Sequence, residues 1–438
     1  MSAVATKKDT SAKWLEQFEL TAANRLGAAN AAVLEKQQKA IAGFAETGIP
    51  DKKVEDYKYT NIRLYLNDEF ALKGAATRLR QSDVRHLFFG GHATIVMVNG
   101  RFVQELSSLK NLPREVIVKN LFTVLKATDT GAGREFNEQF DEKASPMAML
   151  NTALTQDGIS ITVPAGYDCK GPLHLLHISS GTDKVLYNPR HVIKVGEGAS
   201  LTLIETYRSV ELTEKTFINS VTEMIVEKDA TLNNYILQEE DANVSQNNVH
   251  QVSVGTSGKF NSVTVSLDGK MVRNDLNVNI NGENSEIHMH GLFVVKDGQH
   301  IDNHSLVSHN VPNCFSNELY KGIIADGGTG VFNGKIFVKQ DAQKTNAYQS
   351  NKNILMGENS TMNTKPQLEI YADDVKCSHG TTTGRIDEEA LFYLQTRGLN
   401  ENVARKVLLG AFATEISDTV KDTAFRVLLE ERIQVHIV

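Results

Sequence analysis

A mainly β chain, wound as a parallel β-helix between α-helical regions at its two ends, is the architecture that the 438-residue sequence predicts. Three patterns carry that expectation. From Ile159 onward almost every ten residues contain a short run rich in Val, Ile, Leu, Thr and Phe. Small or polar turn triplets recur there, the first four of five about 26 to 31 residues apart, the repeat length of a solenoid coil. At both ends of the chain apolar residues return instead at three- and four-residue steps, as on one face of a helix. A β-sandwich is the competing architecture, because its strands also give regularly spaced turn signals.

Trp14, Leu15, Phe18, Leu26, Ala31, Val33, Leu34, Ala40 and Phe44, set among Glu, Lys and Gln, predict one or two amphipathic helices between Ser11 and Thr47. Gly48-Ile49-Pro50 ends them, since proline cannot continue a helix and pushes its predecessor toward extended backbone. Thr94–Val98, Asn99-Gly100 and Phe102-Val103 predict a hairpin. A polar stretch from about Lys110 to Leu154 has helical character.

Strand-like runs then include Ile159–Thr162, Leu173–Ile178, His191–Val195, Leu201–Tyr207, Thr222–Val226, Leu232–Leu237, Ser262–Leu267, Leu276–Ile280, Gly291–Val295, Val331–Val338 and Leu368–Tyr371. The turn triplets between them are Gly198-Ala199-Ser200, Asp229-Ala230-Thr231, Gly258-Lys259-Phe260, Asn284-Ser285-Glu286 and Asn359-Ser360-Thr361. Asp387-Glu388-Glu389 opens a helix that Gly398 closes, Asn400 caps a second, and a third runs from about Val420 to Ile433. The expected units are an N-terminal helical region (1–90), a mixed α/β segment (91–158), a β-helix (159–384) and a C-terminal helical unit (385–438). That last unit either caps the solenoid's end or docks a partner, capping being the simpler use.

Composition narrows the function classes. Forty-six Lys and Arg against 53 Asp and Glu leave a net charge of −7 without a long single-sign run, so nucleic acid and anionic membranes are not expected partners. No signal-peptide pattern or 18-residue apolar run occurs, and a cytoplasmic location is expected. Cys169, Cys314 and Cys377 are too few and too scattered for a disulfide framework or a CxxC-type zinc site.

Four motifs compete for chemistry. Gly282 followed by His288-Met289-His290 matches the opening of a metal-dependent cupin, but the required Glu is missing from Leu292 to Lys296, so surface histidines are the simpler reading. His300, His304 and His309 are too unevenly spaced to share one centre and are read as hydrogen-bonded turn residues. Asp326-Gly327-Gly328-Thr329-Gly330 with Gly334-Lys335 fails as a phosphate loop, because Ile336 stands where a hydroxyl residue belongs and no helix follows; these glycines are expected in turns, with no nucleotide bound by this chain. Cys377 and His379 project to one side of an extended segment, two positions apart, and can address one soft metal or Fe–S unit. Lys376 and a protonated His379 are expected to lower the thiol pKa. Two ligands are too few for a complete site, and a buried free Cys beside a hydrogen-bonded His is the commoner arrangement.

The segment from Lys365 through Asp373-Asp374-Val375-Lys376-Cys377-Ser378-His379-Gly380, continuing over Gly384–Glu389 and Leu391–Gly398, resembles the C-terminal signature of the SufB/SufD family of iron–sulfur cluster assembly proteins. Asp302–Val307, Gly330–Gly334 and Asn353–Gly357 are similar to the family's β-helix segments, and Glu55–Thr60 to an N-terminal motif that usually has Trp where Tyr57 stands. The likeness is closer to the SufD branch, since Gln349–Lys352 lacks the SufB cysteine and Ser378-His379-Gly380 replaces a Glu-His-Glu stretch.

The resemblance implies a right-handed β-helix and a non-catalytic subunit that pairs with a SufB paralogue and docks SufC, an ABC-type ATPase that hydrolyses the ATP. It also implies a transient iron–sulfur cluster shared with SufB, sulfur delivered through the complex, and a homodimer as the alternative assembly in isolation. His379 and Cys377 are then the cluster-assembly candidates, and Leu391, Phe392, Arg397 and Phe412 the SufC-docking candidates. The alternatives are a cupin-like enzyme using His288 and His290, or a purely structural solenoid adaptor.

Overall fold

The computed structural model describes residues 7–20, 30–72, 79–126, 135–140 and 145–437; the expected helical position Leu26 lies outside them. The N-terminal periodicity forms two helices, Lys7–Leu20 and Ala31–Thr47. Asn30 caps the second by accepting from the Ala32 and Val33 N–H groups, and Gly48 ends it at φ 65°, in the left-handed region that favours glycine. Trp14, Phe18, Ile41 and Phe44 bury their faces against Tyr57, Ile62 and a third helix, Pro146–Leu154. The stretch read as polar and helical is thus mixed: besides that apolar helix it contains a strand, Ile117–Asn120, and a short helix, Leu121–Lys126.

The strands are β1 (Ala93–Val98), β2 (Arg101–Phe102), β3 (Ile117–Asn120), β4 (Gly158–Val163), β5 (Leu173–Gly181), β6 (Val185–Tyr187), β7 (Arg190–Val195), β8 (Ser200–Leu212), β9 (Thr216–Val226) and β10 (Thr231–Glu239). They continue as β11 (Val244–Val254), β12 (Lys259–Asp268), β13 (Met271–Ile280), β14 (Glu286–Val295), β15 (His300–His309), β16 (Phe315–Ile324), β17 (Thr329–Val338), β18 (Asn346–Leu355), β19 (Thr361–Ile370) and β20 (Lys376–Gly384). β1 and β2 form the expected hairpin, with Asn99 at φ 48° and Gly100 at φ 73°, as a type I′ turn needs.

From β7 the chain alternates between two sheets. One runs β2-β1-β5-β8-β10-β12-β14-β16-β18-β20 and the other β19-β17-β15-β13-β11-β9-β7-β4-β3. Apart from β1–β2 and β3–β4 the strand pairs are parallel, which rules out the sandwich and gives a β-solenoid of about 8 turns. In-register stacking makes columns: Leu201, Leu232, Phe260 and Ile287 follow one another through β8, β10, β12 and β14, all essentially buried. Gly198, Asp229 and Asn284 of the turn triplets take positive φ, which lets the chain turn tightly between sheets.

Asp387, Asn400 and Asp422 cap the C-terminal helices Glu388–Thr396, Glu401–Ser417 and Thr423–His436. Their apolar side chains, including Leu391, Leu409, Phe425 and Leu429, pack on Tyr235, Val263, Val265 and Leu292, which face outward from the first sheet. The unit therefore lies along the solenoid's flank instead of sealing its end. No helix among the described residues is long and apolar enough to cross a membrane.

Candidate functional site

Cys377 and His379 stand on β20, at alternate positions that put both on the inner side of the sheet. Parallel pairing with β18 sets Cys377 beside Ala347 and His379 beside Gln349. β20 and β19 are the last strands of their sheets, and among the described residues neither has a strand on its other side. The terminal coil therefore leaves a row of backbone N–H and C=O groups open on both sheets at the same end.

The two side chains differ sharply in setting. His379 is exposed, whereas Cys377 is half-buried against Ile336, Val338, Ala347 and Ala372. Burial pushes the Cys377 thiol pKa up, opposed only partly by the Ala347 backbone N–H. The expected activation by Lys376 and His379 is thus overturned. Strand alternation sends Lys376 to the opposite face, and the apolar packing disfavours the thiolate. Cys169 and Cys314 are buried in other coils, with their thiols against the Gly171, Gly282 and Pro312 carbonyls.

The other motifs resolve into structural roles. His288 and His290 lie on the outer face of β14, His288 bonded to Glu286 at 2.8 Å and its ring 6.3 Å from that of His290. A parallel solenoid is not the antiparallel double sheet of a cupin, so the cupin reading falls. His300, His304 and His309 belong to strand β15 and not to turns. His300 bonds Thr60 at 2.7 Å, His304 bonds Asp302 and Arg273 at 3.0 Å, and His309 points inward to Ser316 at 2.9 Å. Gly327, at φ 74°, and Gly328 do make a turn, but Gly330 and Gly334 lie within β17. At Gly334 a Cβ would come 2.2 Å from the Gln349 amide nitrogen and 2.7 Å from the Phe332 ring, so a side chain there would have to displace its neighbours.

Comparison with known proteins fits this arrangement. Residues 177–412 match the family described as "SUF system FeS cluster assembly, SufBD core domain", and residues 9–175 match the "SufBD protein N-terminal region". The chain belongs to the SufBD family. It is 32% identical to the iron-sulfur cluster assembly protein SufD of Escherichia coli over 407 residues, covering 90% of this chain and 91% of that protein. A SufBD family protein of Synechocystis is 28% identical over 90% of this chain and 89% of its own length. The chloroplastic protein ABCI7 of Arabidopsis thaliana is 28% identical over 86% and 80%.

In this SufBD chain the N-terminal motif Glu55–Thr60 clasps the solenoid flank. Tyr57 lies 4.2 Å under the Arg273 guanidinium, Thr60 donates to Asp302 at 2.5 Å, and Glu55 pairs with Lys365 of β19. Sequence reasoning found the motif but not its partner, which lies more than 200 residues away. Among the docking candidates, Leu391 is buried in the fold and Phe412 is half-buried, its ring 4.3 Å from the Lys321 ammonium. Phe392 is 67% exposed, and Arg397 stacks over Tyr393 at 5.1 Å. Tyr393, Val403 and Val407 are further exposed apolar side chains on the same helices. They could have been found from their position opposite the buried helical face.

Proposed function

We propose that the chain serves as the SufD-type, non-catalytic subunit of an iron–sulfur assembly complex, joined end to end to a SufB paralogue through β19 and β20 and bound to the SufC ATPase by its C-terminal helices. A nascent cluster then forms at the joint, with His379 as ligand or proton carrier and the main sulfur ligands supplied by SufB. The observation that carries this reading is the coincidence of two unpaired sheet edges with the exposed His379 on one terminal coil. Open edges recruit strands from a partner by backbone pairing alone, and a partner built of similar coils continues both sheets at once.

Chemistry on the joint favours the same division of labour. A neutral imidazole ligates iron and carries a proton near pH 7, while the Cys377 thiol is held protonated by its apolar surroundings. The test is coexpression with SufB and SufC, followed by anaerobic iron and sulfide analysis of the complex carrying His379→Ala or Cys377→Ala. Assembly should survive in both. Iron and sulfide should fall severely with His379→Ala and modestly with Cys377→Ala; normal loading of the His379 variant would sink the assignment.

A further inference from the structure

Behind the open end of the solenoid runs a short polar row. Glu318 of β16, Gln349 of β18 and His379 of β20 follow one another in register on the inner side of the first sheet. Glu318 and Gln349 are 2% and 3% exposed, and the Gln349 amide donates through Nε2 to the Glu318 carboxyl at 2.7 Å. The other end of that amide, Oε1, is buried without a hydrogen-bond partner among the described residues. An unpaired amide oxygen inside a protein is costly, so the position calls for a donor. Asn351, next on the same face of β18, has its amide committed to the Tyr320 carbonyl and to Asn353, at 3.1 and 3.2 Å. Gly334 of β17 has no side chain to offer, and its bareness is what leaves room for the Gln349 amide.

Rows elsewhere in the solenoid show how such an amide is satisfied. Asn233 donates to Thr202 of the coil before it at 3.0 Å and accepts from Asn261 of the coil after it at 2.9 Å, all three in register. Asn247 donates to its in-register neighbour Asn219 in the same sense. Parallel strands about 4.8 Å apart bring in-register side chains within reach of each other whatever their type. Gln349 stands as Asn233 does, with Glu318 in the place of Thr202 and His379 in the place of Asn261. The bond from His379 is not made in the free chain, where that residue is exposed to competing water. A partner strand laid along β20 would exclude that water, and turning the imidazole about its own side-chain bonds then completes the row.

We propose that Gln349 is the positioning residue of His379: in the assembled joint its Oε1 accepts the imidazole N–H, Glu318 anchors the amide from behind, and the second ring nitrogen is presented to iron. A neutral imidazole has one N–H and one lone pair, so fixing the first fixes the direction of the other. Iron-ligating histidines are commonly oriented in this way by an acceptor on their far nitrogen. The inference rests on His379 as the iron ligand of the joint and assigns to Gln349 no contact with the cluster.

The test uses the complex coexpressed with SufB and SufC, isolated anaerobically, with iron and sulfide content measured beside the unfolding midpoint. Gln349→Met keeps the side chain's size and removes the acceptor. Gln349→Glu keeps an acceptor, sharing one proton with Glu318, but adds a second buried carboxyl. Iron and sulfide should fall about tenfold in the Met variant and stay within about twofold of the wild type in the Glu variant. The unfolding midpoint should rank the two the other way, with Met above Glu, because only the Glu variant buries an added ionisable group. A merely structural residue would make loading follow stability, so a loss of loading greater in Gln349→Glu than in Gln349→Met would overturn the inference. Wild-type loading of Gln349→Met beside a severe loss in His379→Ala would also overturn it and leave the His379 assignment standing, whereas normal loading of His379→Ala would overturn both. Should Gln349→Glu fail to assemble, Gly334→Ala takes its place: the amide is retained but pushed aside, so loading should fall as in Gln349→Met, and wild-type loading would refute the positioning role.

Discussion

Replacing Arg273 with Met should loosen the N-terminal unit before the solenoid. Arg273 is 1% exposed and sits between Asp302, at 2.5 Å, and Asp275, at 2.7 Å, with Tyr57 packed on its guanidinium. Methionine fills much of the volume but leaves Asp302 with only Thr60 and His304 as partners. Breaking a buried ion pair from one side costs about 3 to 5 kcal/mol. The escape route, protonating one carboxylate at pH 7 from an ordinary pKa near 4, costs about 4 kcal/mol, so it gives no cheaper exit. With a urea dependence of about 1 to 3 kcal/mol per molar, the midpoint should drop by about 1 M or more. Trp14 is the single tryptophan and is buried in the cluster that contains Tyr57, so its fluorescence follows the N-terminal unit while circular dichroism follows the coils. The fluorescence transition should move to lower urea and separate from the circular-dichroism transition. A shift below about 0.3 M, or two transitions that move together, would refute the claim that this network clasps the two parts.

Phe392→Ala should weaken SufC copurification at least tenfold, as loss of an exposed aromatic anchor does, while Arg397→Ala costs less; equal retention by both variants would exclude this helix as the dock. This substitution is a cleaner probe than deleting residues 387–438, which would also uncover Tyr235, Val263 and Leu292. Gly158→Ala should fail to fold stably, because a Cβ there would lie 1.5 Å from the Arg190 carbonyl oxygen; a soluble variant with an unchanged melting temperature would contradict the packing. Burial raises the pKa of Glu318 and Glu240 to about 7, so the folded state holds protons that the unfolded state has released. Stability should therefore decline as pH rises from about 4.5 to 7, by at most about 3 kcal/mol per group, and level off above. Glu318→Gln should flatten that slope in denaturation curves taken across the range, and an unaltered slope would contradict the assignment.

The coils were legible where their interior is aliphatic. β8, β10, β13 and β17 announce themselves by runs such as Leu201–Tyr207 and Val331–Val338. β11, β16 and β18 did not, because stacking lets each coil satisfy the polar groups of the next. Asn247 donates to Asn219 of the preceding coil at 3.1 Å, and Gln349 to Glu318 at 2.7 Å, so Asn, Gln and Glu occupy positions where a sandwich strand would need Val or Ile. At the candidate site, the pairing of Cys377 with His379 followed from strand alternation. The sign of the thiol's shift did not, since Ile336 and Val338 bury it from another strand.

The in-register ladder also governs how such a chain can change in length. Strands β12 to β19 all have ten residues, while the step from one strand start to the next on the first sheet varies from 27 to 31 residues between Lys259 and Lys376. Turns absorb all of that variation. An insertion of a single residue inside a strand would rotate every later side chain in it to the wrong face, whereas one in a turn leaves both neighbouring columns intact. Heritable change in length is therefore confined to turns or to whole coils, and a gained or lost coil would move the open end, with His379 on it, by one strand spacing, about 4.8 Å, relative to the flank that holds the C-terminal helices. Coil number acts as a ruler between the open end and the helical flank.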